Sequence, residues 1–241
     1  MTLHLLSTLA VAGAMRGLLG RCEAAAGMRV TADFMPTLGL LARIRGGERA
    51  DAVVLTAEGV EELVAEGVLD PASRADLVRS HIGLAVRAGE PHPRIGTVDE
   101  LKEVLLAAPS VAYSRTGASG ISFAALLGRL GIAEAVNARA TIVPSGFTAE
   151  PLVRGEASLA VQQVSELLAV PGIEVIGRLP REVETVAVFT AAAFRGAAQP
   201  EAAGRLIRFL ASGEAAPALR EAGLEPVTEG LASAPPAPDK G

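Results

Sequence analysis

Short apolar runs alternate with segments of helical periodicity in the first third of the chain. Three runs have the length of buried strands, at residues 3–6, 29–34 and 51–55. Each is followed by a segment with helical spacing of apolar residues that ends at a glycine, at residues 12–26, 38–45 and 60–66. Three βα units in succession predict a parallel sheet with ligand sites beyond the carboxyl ends of its strands.

The same alternation continues through the rest of the chain. Further strands are predicted at residues 81–86, 110–113, 141–143, 158–162, 174–177 and 186–191. Further helices are predicted at residues 98–107, 124–130, 150–154, 165–170, 200–210 and 217–222. The pattern therefore predicts an α/β protein. From residue 228 on, the chain has too few large apolar side chains to order itself, and a disordered tail is expected.

Residues 113–123 run from a short strand through hydroxyls and glycines into a helix. Ser114 and Ser119 are candidates to cap the helix start, and Gly120 lets the backbone approach a ligand. The free N–H groups of such a helix start favour an anion. A plain helix cap without a ligand explains the same residues, and this alternative stays open at the level of the stretch alone.

Hydroxyls recur at the ends of other predicted strands. Ser7 and Thr8 follow the first strand, and Thr37 follows the second. Because the carboxyl ends of parallel strands share one edge of a sheet, these side chains are expected close together. The recurrence favours a site for a small anionic ligand.

Charge and composition limit the classes of ligand and compartment. The chain has 241 residues, 50% hydrophobic, with a net charge of −5. Its basic residues are scattered singly, which excludes a nucleic-acid face, so an anion must be held by local dipoles and one or two arginines. Cys22 is interpreted as core, and no residues stand at metal-ligand spacing, so neither a metal nor another cofactor is expected.

The chain begins directly with a strand pattern and has no secretory leader as written. A cytoplasmic location is therefore expected, or a periplasmic or extracellular one if a leader preceded Met1. No run approaches the ~20 apolar residues of a membrane span, so no membrane insertion is expected.

The order of these parts resembles the type 2 periplasmic-binding-protein fold of the molybdate-binding kind, over roughly residues 3–226. The motifs that carry the resemblance are Ser7-Thr8, residues 27–30, residues 47–54, Ser119-Gly120, residues 153–157, residues 162–166, residues 178–180 and residues 223–226. Where molybdate binders usually carry a Tyr-Thr-Asp-like run, this chain has Gln163-Val164-Ser165-Glu166. That segment and Leu179-Pro180 are similar to a branch of the fold that includes aconitate isomerases.

This resemblance implies two α/β lobes with mixed, mainly parallel sheets flanked by helices, joined by two crossover strands, with the ligand cleft between them. Lobe one would comprise residues 1–82 and 187–227, and lobe two residues 83–186. The implied ligand contacts are Ser7, Thr8, Thr37, Ser114, Ser119, Gly120 and either Gln162 or Gln163.

Four further residues are candidates for chemistry, each with a simpler alternative. Glu166 stands at a strand-to-helix turn and is the candidate base, although an acid there also stabilises a helix start. Arg79 and Arg115 are candidates to pair a carboxylate, or are solvated surface arginines. His81 lies at the presumed crossover, as a hinge residue, a base or an ordinary strand-end histidine.

Two functions fit these residues. The first is an isomerase of an unsaturated carboxylate such as aconitate, which needs a base beside an acidic C–H and donors on the adjoining carboxylate. The second is the substrate-binding protein of a molybdate-type or other anion ABC transporter, which needs the same cleft, no base, and a permease partner for an exported form.

Overall fold

The computed structural model describes residues 1–227, and the predicted tail at residues 228–241 lies outside the described residues. The strands are β1 (Thr2–Thr8), β2 (Arg29–Met35), β3 (Ala52–Thr56), β4 (Ala75–Arg87), β5 (Val111–Tyr113), β6 (Ala140–Ile142), β7 (Leu159–Gln163), β8 (Ile173–Arg178), β9 (Val186–Ala193) and β10 (Glu225–Pro226). The helices are α1 (Ala12–Ala26), α2 (Thr37–Arg45), α3 (Ala57–Ala65), α4 (Val98–Ala107), α5 (Ala118–Arg129), α6 (Ala133–Asn137), α7 (Glu150–Val153), α8 (Val164–Leu167), α9 (Pro200–Leu210) and α10 (Ala216–Glu221).

These strands form one mixed sheet in the order β2-β1-β3-β9-β4-β7-β5-β6, with β8 and β10 also paired to β4. β1 runs parallel to β2 and β3, and β5 runs parallel to β6 and β7. β9 and β4 pair antiparallel with the strands beside them. The predicted α/β class, with parallel units flanked by helices, is confirmed.

β4 is the long strand that links the two parts of this sheet. It has 13 residues and extends over about 40 Å. Its first part, up to His81, pairs with β9, and its second part, from Ile82, pairs with β7 and β8. The predicted strand at residues 81–86 covered the second part alone, because Asp76, Arg79 and Ser80 interrupt the apolar pattern of the first.

Hydrophobic clusters cover both faces of each part of the sheet. Around β1, β3 and β9, one cluster packs beneath α1 and α9 and contains Cys22, and another packs beneath α2 and α3. Around β5 and β7, one cluster contains Tyr113 and Phe123, and another contains Leu152 and Leu167. Burial raises the pKa of the Cys22 thiol to about 11, in keeping with its interpretation as core. The lobe boundaries near residues 82 and 187 stay a prediction.

The helices beside β5, β6 and β7 differ from the sequence-based expectation. α5 begins at Ala118, so Ser119 and Gly120 lie inside its first turn, and Gly117 rather than Ser114 or Ser119 precedes the helix. The short helix α6 had not been predicted. Within residues 1–227, every helix lacks the length and apolar run needed to cross a membrane.

Candidate functional site

The ends of β1, β5 and β7 and the starts of α2 and α5 surround one small cavity. Five of the predicted site residues line it, namely Thr8, Thr37, Ser114, Gln162 and Glu166. The first two come from the part built on β1, and the other three from the part built on β5 and β7. The free space between these walls is about 10 Å³, which is roughly the room that one water molecule requires. The fold therefore brings predicted site residues from both parts of the sheet to one cavity.

α2 and α5 begin on opposite sides of this cavity and touch there. Pro36 and Gly117 precede the two helices, and neither offers a side-chain oxygen to the first N–H groups. The N–H of Leu38 in α2 instead donates to the carbonyl oxygen of Thr116, at 3.0 Å. A free N–H at the start of α2 is thus satisfied by a carbonyl in the turn before α5. This hydrogen bond joins the two sides of the cavity.

Ser114 holds the turn that leads into α5. Its Oγ accepts hydrogen bonds from the N–H groups of Thr116 (3.2 Å) and Gly117 (3.3 Å). Gly120, one turn into the helix, packs so tightly against this turn that a Cβ there would overlap the carbonyl oxygen of Ser114. The small residue is therefore required by the turn, and its contribution to the site is indirect.

Gln162 fixes the loop before α7. Its Oε1 accepts from the N–H of Thr148 at 2.7 Å, and its Nε2 donates to the carbonyl of Gly146 at 3.4 Å. Gly146 also lines the cavity. Gln162 lines the cavity, whereas Gln163 precedes α8 and donates its backbone N–H to Glu166, and the choice between the two as ligand contacts stays a prediction.

Glu166 is buried at the cavity wall, with 8% of its surface exposed. Its carboxylate accepts from the N–H of Gln163 at 3.4 Å. Loss of hydration raises the pKa of Glu166 to about 8, although hydrogen bonds from Gln163 and Gln162 partly oppose the rise. The carboxyl group thus lies at the start of α8 and holds its proton to a higher pH than an exposed glutamate does.

Three buried hydroxyls, on β1, β4 and α8, have no hydrogen-bond partner among residues 1–227. They are Thr8 Oγ1, Ser80 Oγ and Ser165 Oγ. Buried polar groups are nearly always paired, so unpaired ones concentrate where a ligand or water completes the bonding. Thr8 lines the cavity itself, whereas Ser165 lines a separate groove between α1, α8 and α10.

The other predicted residues lie near the cavity or away from it. Ser7 is buried, and its Oγ donates to the carbonyl of Thr8 at 3.0 Å. Ser119 is buried in the first turn of α5, as described above. Arg115 is exposed on the turn, and Arg79 is exposed on β4 opposite Glu225. Within the described chain, neither arginine is among the lining residues, and their roles stay predictions.

An apolar wall of the cavity had not been predicted. It is formed by Leu9, Met35 and Phe189. Each stands in or directly after a strand, where an apolar residue gives the same signal as any core residue. Only the pairing of β9 with β3 and β4 brings Phe189 to the site.

His81, on β4, lies between two carboxylates. Its Nδ1 is 2.6 Å from Glu184, and its Nε2 is 3.0 Å from Glu225 without the alignment of a hydrogen bond. His81 and then Arg178 lower the pKa of Glu225. Glu184 precedes β9 and Glu225 begins β10, and the role of His81 stays a prediction. No group of three His, Cys, Asp or Glu residues in the described chain is placed to hold a metal ion.

A mixed sheet flanked by helices, with a small cavity between two helix starts, is the architecture of the periplasmic-binding-protein-like class. The chain belongs to the bacterial extracellular solute-binding protein family, which it matches over residues 3–225. The resemblance inferred from the sequence is thereby confirmed.

Particular relatives differ in what they do. An aconitate isomerase from Pseudomonas sp. is 36% identical over 232 residues, which cover 94% of this chain and 88% of that protein. The periplasmic molybdate-binding protein of Azotobacter vinelandii superposes with a TM-score of 0.77 at 18% identity, over 92% of this chain and 98% of that one. The sulfate-binding protein of Mycobacterium tuberculosis gives 0.75 at 17% identity, over 97% and 89%. The two solved structures support the fold alone.

Proposed function

We propose that this protein binds a small polycarboxylate in the cavity between α2 and α5 and shifts a double bond in it, as an isomerase of an unsaturated carboxylate such as aconitate. The observation that carries the proposal is Glu166, a buried carboxyl group at the cavity wall with a pKa of about 8. A group that exchanges its proton near neutral pH suits repeated proton transfer. The similarity to an aconitate isomerase supports the choice of substrate class.

The reaction needs one proton to leave one carbon and return to another. Ionised Glu166 takes the proton from a carbon beside a carboxylate, and the C–H electron pair moves into a dienolate-like intermediate. The protonated Glu166 then delivers that proton to the far carbon of the allylic system, so the double bond moves and no net oxidation occurs. With a pKa of about 8, roughly a tenth of Glu166 is ionised at pH 7, and the protonated form is ready for the return step.

The carboxylates are held by hydroxyls and helix-start N–H groups. Thr8, Thr37 and Ser114 supply hydroxyls, and the starts of α2 and α5 supply backbone donors. Within the described chain, the lining contains no Lys or Arg. Binding then depends on closely placed dipoles, which also stabilise charge that develops on the substrate carboxylate.

A binding protein for an anion ABC transporter is the second candidate. The family and the fold favour it, because a cleft between helix starts suits an anion without any chemistry. In that case Glu166 only caps α8 with Gln163, and a permease is the partner. The family's description refers to extracellular proteins, and the cytoplasmic expectation for this chain stays a prediction.

The test is binding and exchange measured on one purified protein. Calorimetry with citrate, both aconitate isomers, molybdate and sulfate identifies the ligand class. Proton NMR of aconitate in heavy water then reports isomerisation and exchange at carbon. We expect polycarboxylate binding with turnover, and we expect Glu166→Gln to keep binding while turnover falls by about 10² or more.

Glu156→Gln is the matched control, since Glu156 is an exposed carboxylate paired with Arg154 at 3.0 Å. It should behave as the unchanged protein. Binding of a polycarboxylate without exchange would favour the receptor function. Binding of molybdate or sulfate alone would overturn the choice of substrate class.

A further inference from the structure

A fully buried threonine stands in the loop before α7. Thr148 has 0% of its surface exposed, and its N–H donates to Oε1 of Gln162 at 2.7 Å. Its hydroxyl lies 3.0 Å from the same oxygen and 3.2 Å from the carbonyl oxygen of Val161. The backbone N–H is therefore the constant donor to Gln162, and the hydroxyl is a second donor that Gln162 shares with Val161.

These contacts give the amide of Gln162 one orientation. An amide has an acceptor end, Oε1, and a donor end, Nε2, which carries two hydrogens. Rotation of the amide by 180° would place Nε2 against the N–H of Thr148 and Oε1 against the carbonyl of Gly146. Donor would then face donor and acceptor would face acceptor, so Thr148 and Gly146 fix which end of the amide meets which neighbour.

The donor end of this amide serves Glu166. Gln162 donates a hydrogen bond to the carboxylate of Glu166, and both residues line the same cavity. One Nε2 hydrogen reaches the carbonyl of Gly146 at 3.4 Å, which leaves the other for Glu166. Both hydrogens and the oxygen of the amide are thus used inside the protein.

The end of β7 supplies a second donor to the same carboxylate. Gln162 and Gln163 are the last two residues of this strand, and the backbone N–H of Gln163 lies 3.4 Å from Glu166. Donors that contact a carboxylate favour its ionised form and fix the position of its oxygens. A group that takes and returns a proton needs this fixed position, which a strand end with buried neighbours supplies.

We propose that Gln162, held in one orientation by Thr148, positions the carboxylate of Glu166 for proton transfer and does not itself bind the ligand. This inference rests on the proposed function. It gives Thr148 a role and replaces the ligand contact predicted for Gln162 from the sequence. Both are positioning residues, because they act on the substrate only through Glu166.

The main test is Gln162→Met, which keeps the length of the side chain and removes both ends of the amide. Ionised Glu166 then lacks one donor, so the limb of kcat/KM for aconitate that rises with pH should move up by about one pH unit. Turnover at pH 7 should fall by about tenfold as a result. Calorimetry with propane-1,2,3-tricarboxylate should show affinity within about twofold of the unaltered protein.

Two results would overturn the proposal. Turnover that falls at every pH while the limb stays in place would show that Gln162 only supports the structure. Affinity for the tricarboxylate that falls by about tenfold or more would show that the amide binds the ligand. Gln199→Met is the matched control, because it makes the same exchange in the residue before α9, and its limb should not move.

Thr148→Val keeps the test decisive if Gln162→Met does not fold. It retains the backbone N–H and removes the hydroxyl, so the limb should move in the same direction by a smaller amount. Thr148→Ser keeps the hydroxyl and should return the limb to its original pH. A limb that stays in place in Thr148→Val would overturn the role of Thr148.

A measurement without substrate separates this inference from the proposed function. Urea unfolding of Gln162→Met, Glu166→Gln and the double variant gives the coupling between the two side chains. The coupling should be larger at pH 9, where Glu166 is ionised, than at pH 5, where it is protonated. Equal coupling at both pH values would overturn the inference, whereas a pH-dependent coupling in a protein without turnover would overturn the proposed function.

Discussion

Glu166 keeps its carboxyl group in a place where water solvates the charged form poorly. The neighbouring N–H of Gln163 and the side chain of Gln162 restore only part of the lost hydration, so the pKa rises to about 8. The residue that suits proton transfer is therefore also one that weakens the fold when it ionises. The proposed proton transfer and the stability of the fold therefore make opposite demands on this side chain.

The conflict predicts a pH dependence of stability. Between the ordinary glutamate pKa near 4.5 and the folded value near 8, the folded state holds a proton that the unfolded state has lost. The contribution of this proton to the free energy of unfolding is complete below the unfolded pKa and is lost as pH rises through the folded pKa. The total loss is at most roughly 5 kcal/mol. Urea unfolding from pH 5 to 9 should show Glu166→Gln gaining stability relative to the unaltered protein as pH rises. Parallel curves for the two proteins would contradict the raised pKa.

Hydroxyls at strand ends could be predicted from the sequence, and apolar site residues could not. Thr8, Thr37 and Ser114 stand out because polar residues end apolar runs. Phe189 carries no such mark, since an aromatic residue in a strand is ordinarily core.

The start of α5 illustrates how an element positions a site. Gly120 allows the first turn of the helix to lie against the carbonyl of Ser114. The loop at Ser114 then places its residue at the cavity wall. Serine and glycine are weak helix formers, so the sequence left several possible starts for this helix. Close backbone packing overrides that preference.

This packing predicts opposite outcomes for two glycines of the same helix. Gly120→Ala forces the Ser114 turn to move and should destabilise the protein by about 1–3 kcal/mol with weaker ligand binding. Gly128→Ala has no atom within 4 Å of the new methyl group and should stabilise the helix by about 0.5–1 kcal/mol. Thermal unfolding and calorimetry measure both effects. A harmless Gly120→Ala would show that the turn is not fixed by this contact.

The whole molecule must change shape to take a ligand, because a space of about 10 Å³ does not admit a polycarboxylate. The bond from Leu38 to Thr116 joins the two walls directly, and β4 continues through both parts of the sheet. The walls can therefore separate while the sheet stays connected. Binding is expected to break the Leu38–Thr116 bond and offer the same helix-start donor to the ligand.

A reversible crosslink tests this expectation. In the double variant Leu38→Cys with Thr116→Cys, oxidation should lock the walls together and abolish binding, because the backbones are already in hydrogen-bond contact. A reductant should restore it, and binding is followed by calorimetry in both states. Each single variant is the control, and the buried Cys22 stays outside the reaction. Unchanged affinity in the oxidised double variant would mean that ligands enter without separation of the walls.

The position of β9 between β3 and β4 also determines when the sheet can be completed during synthesis of the chain. β1, β2 and β3 leave the ribosome first, but their sheet has an open edge until residues 186–193 have followed. The intervening segment has its own local strand pairings and hydrophobic clusters and can fold in the meantime. This earlier part of the sheet is thus completed late, and its unpaired β3 edge is the surface most in need of protection during that interval.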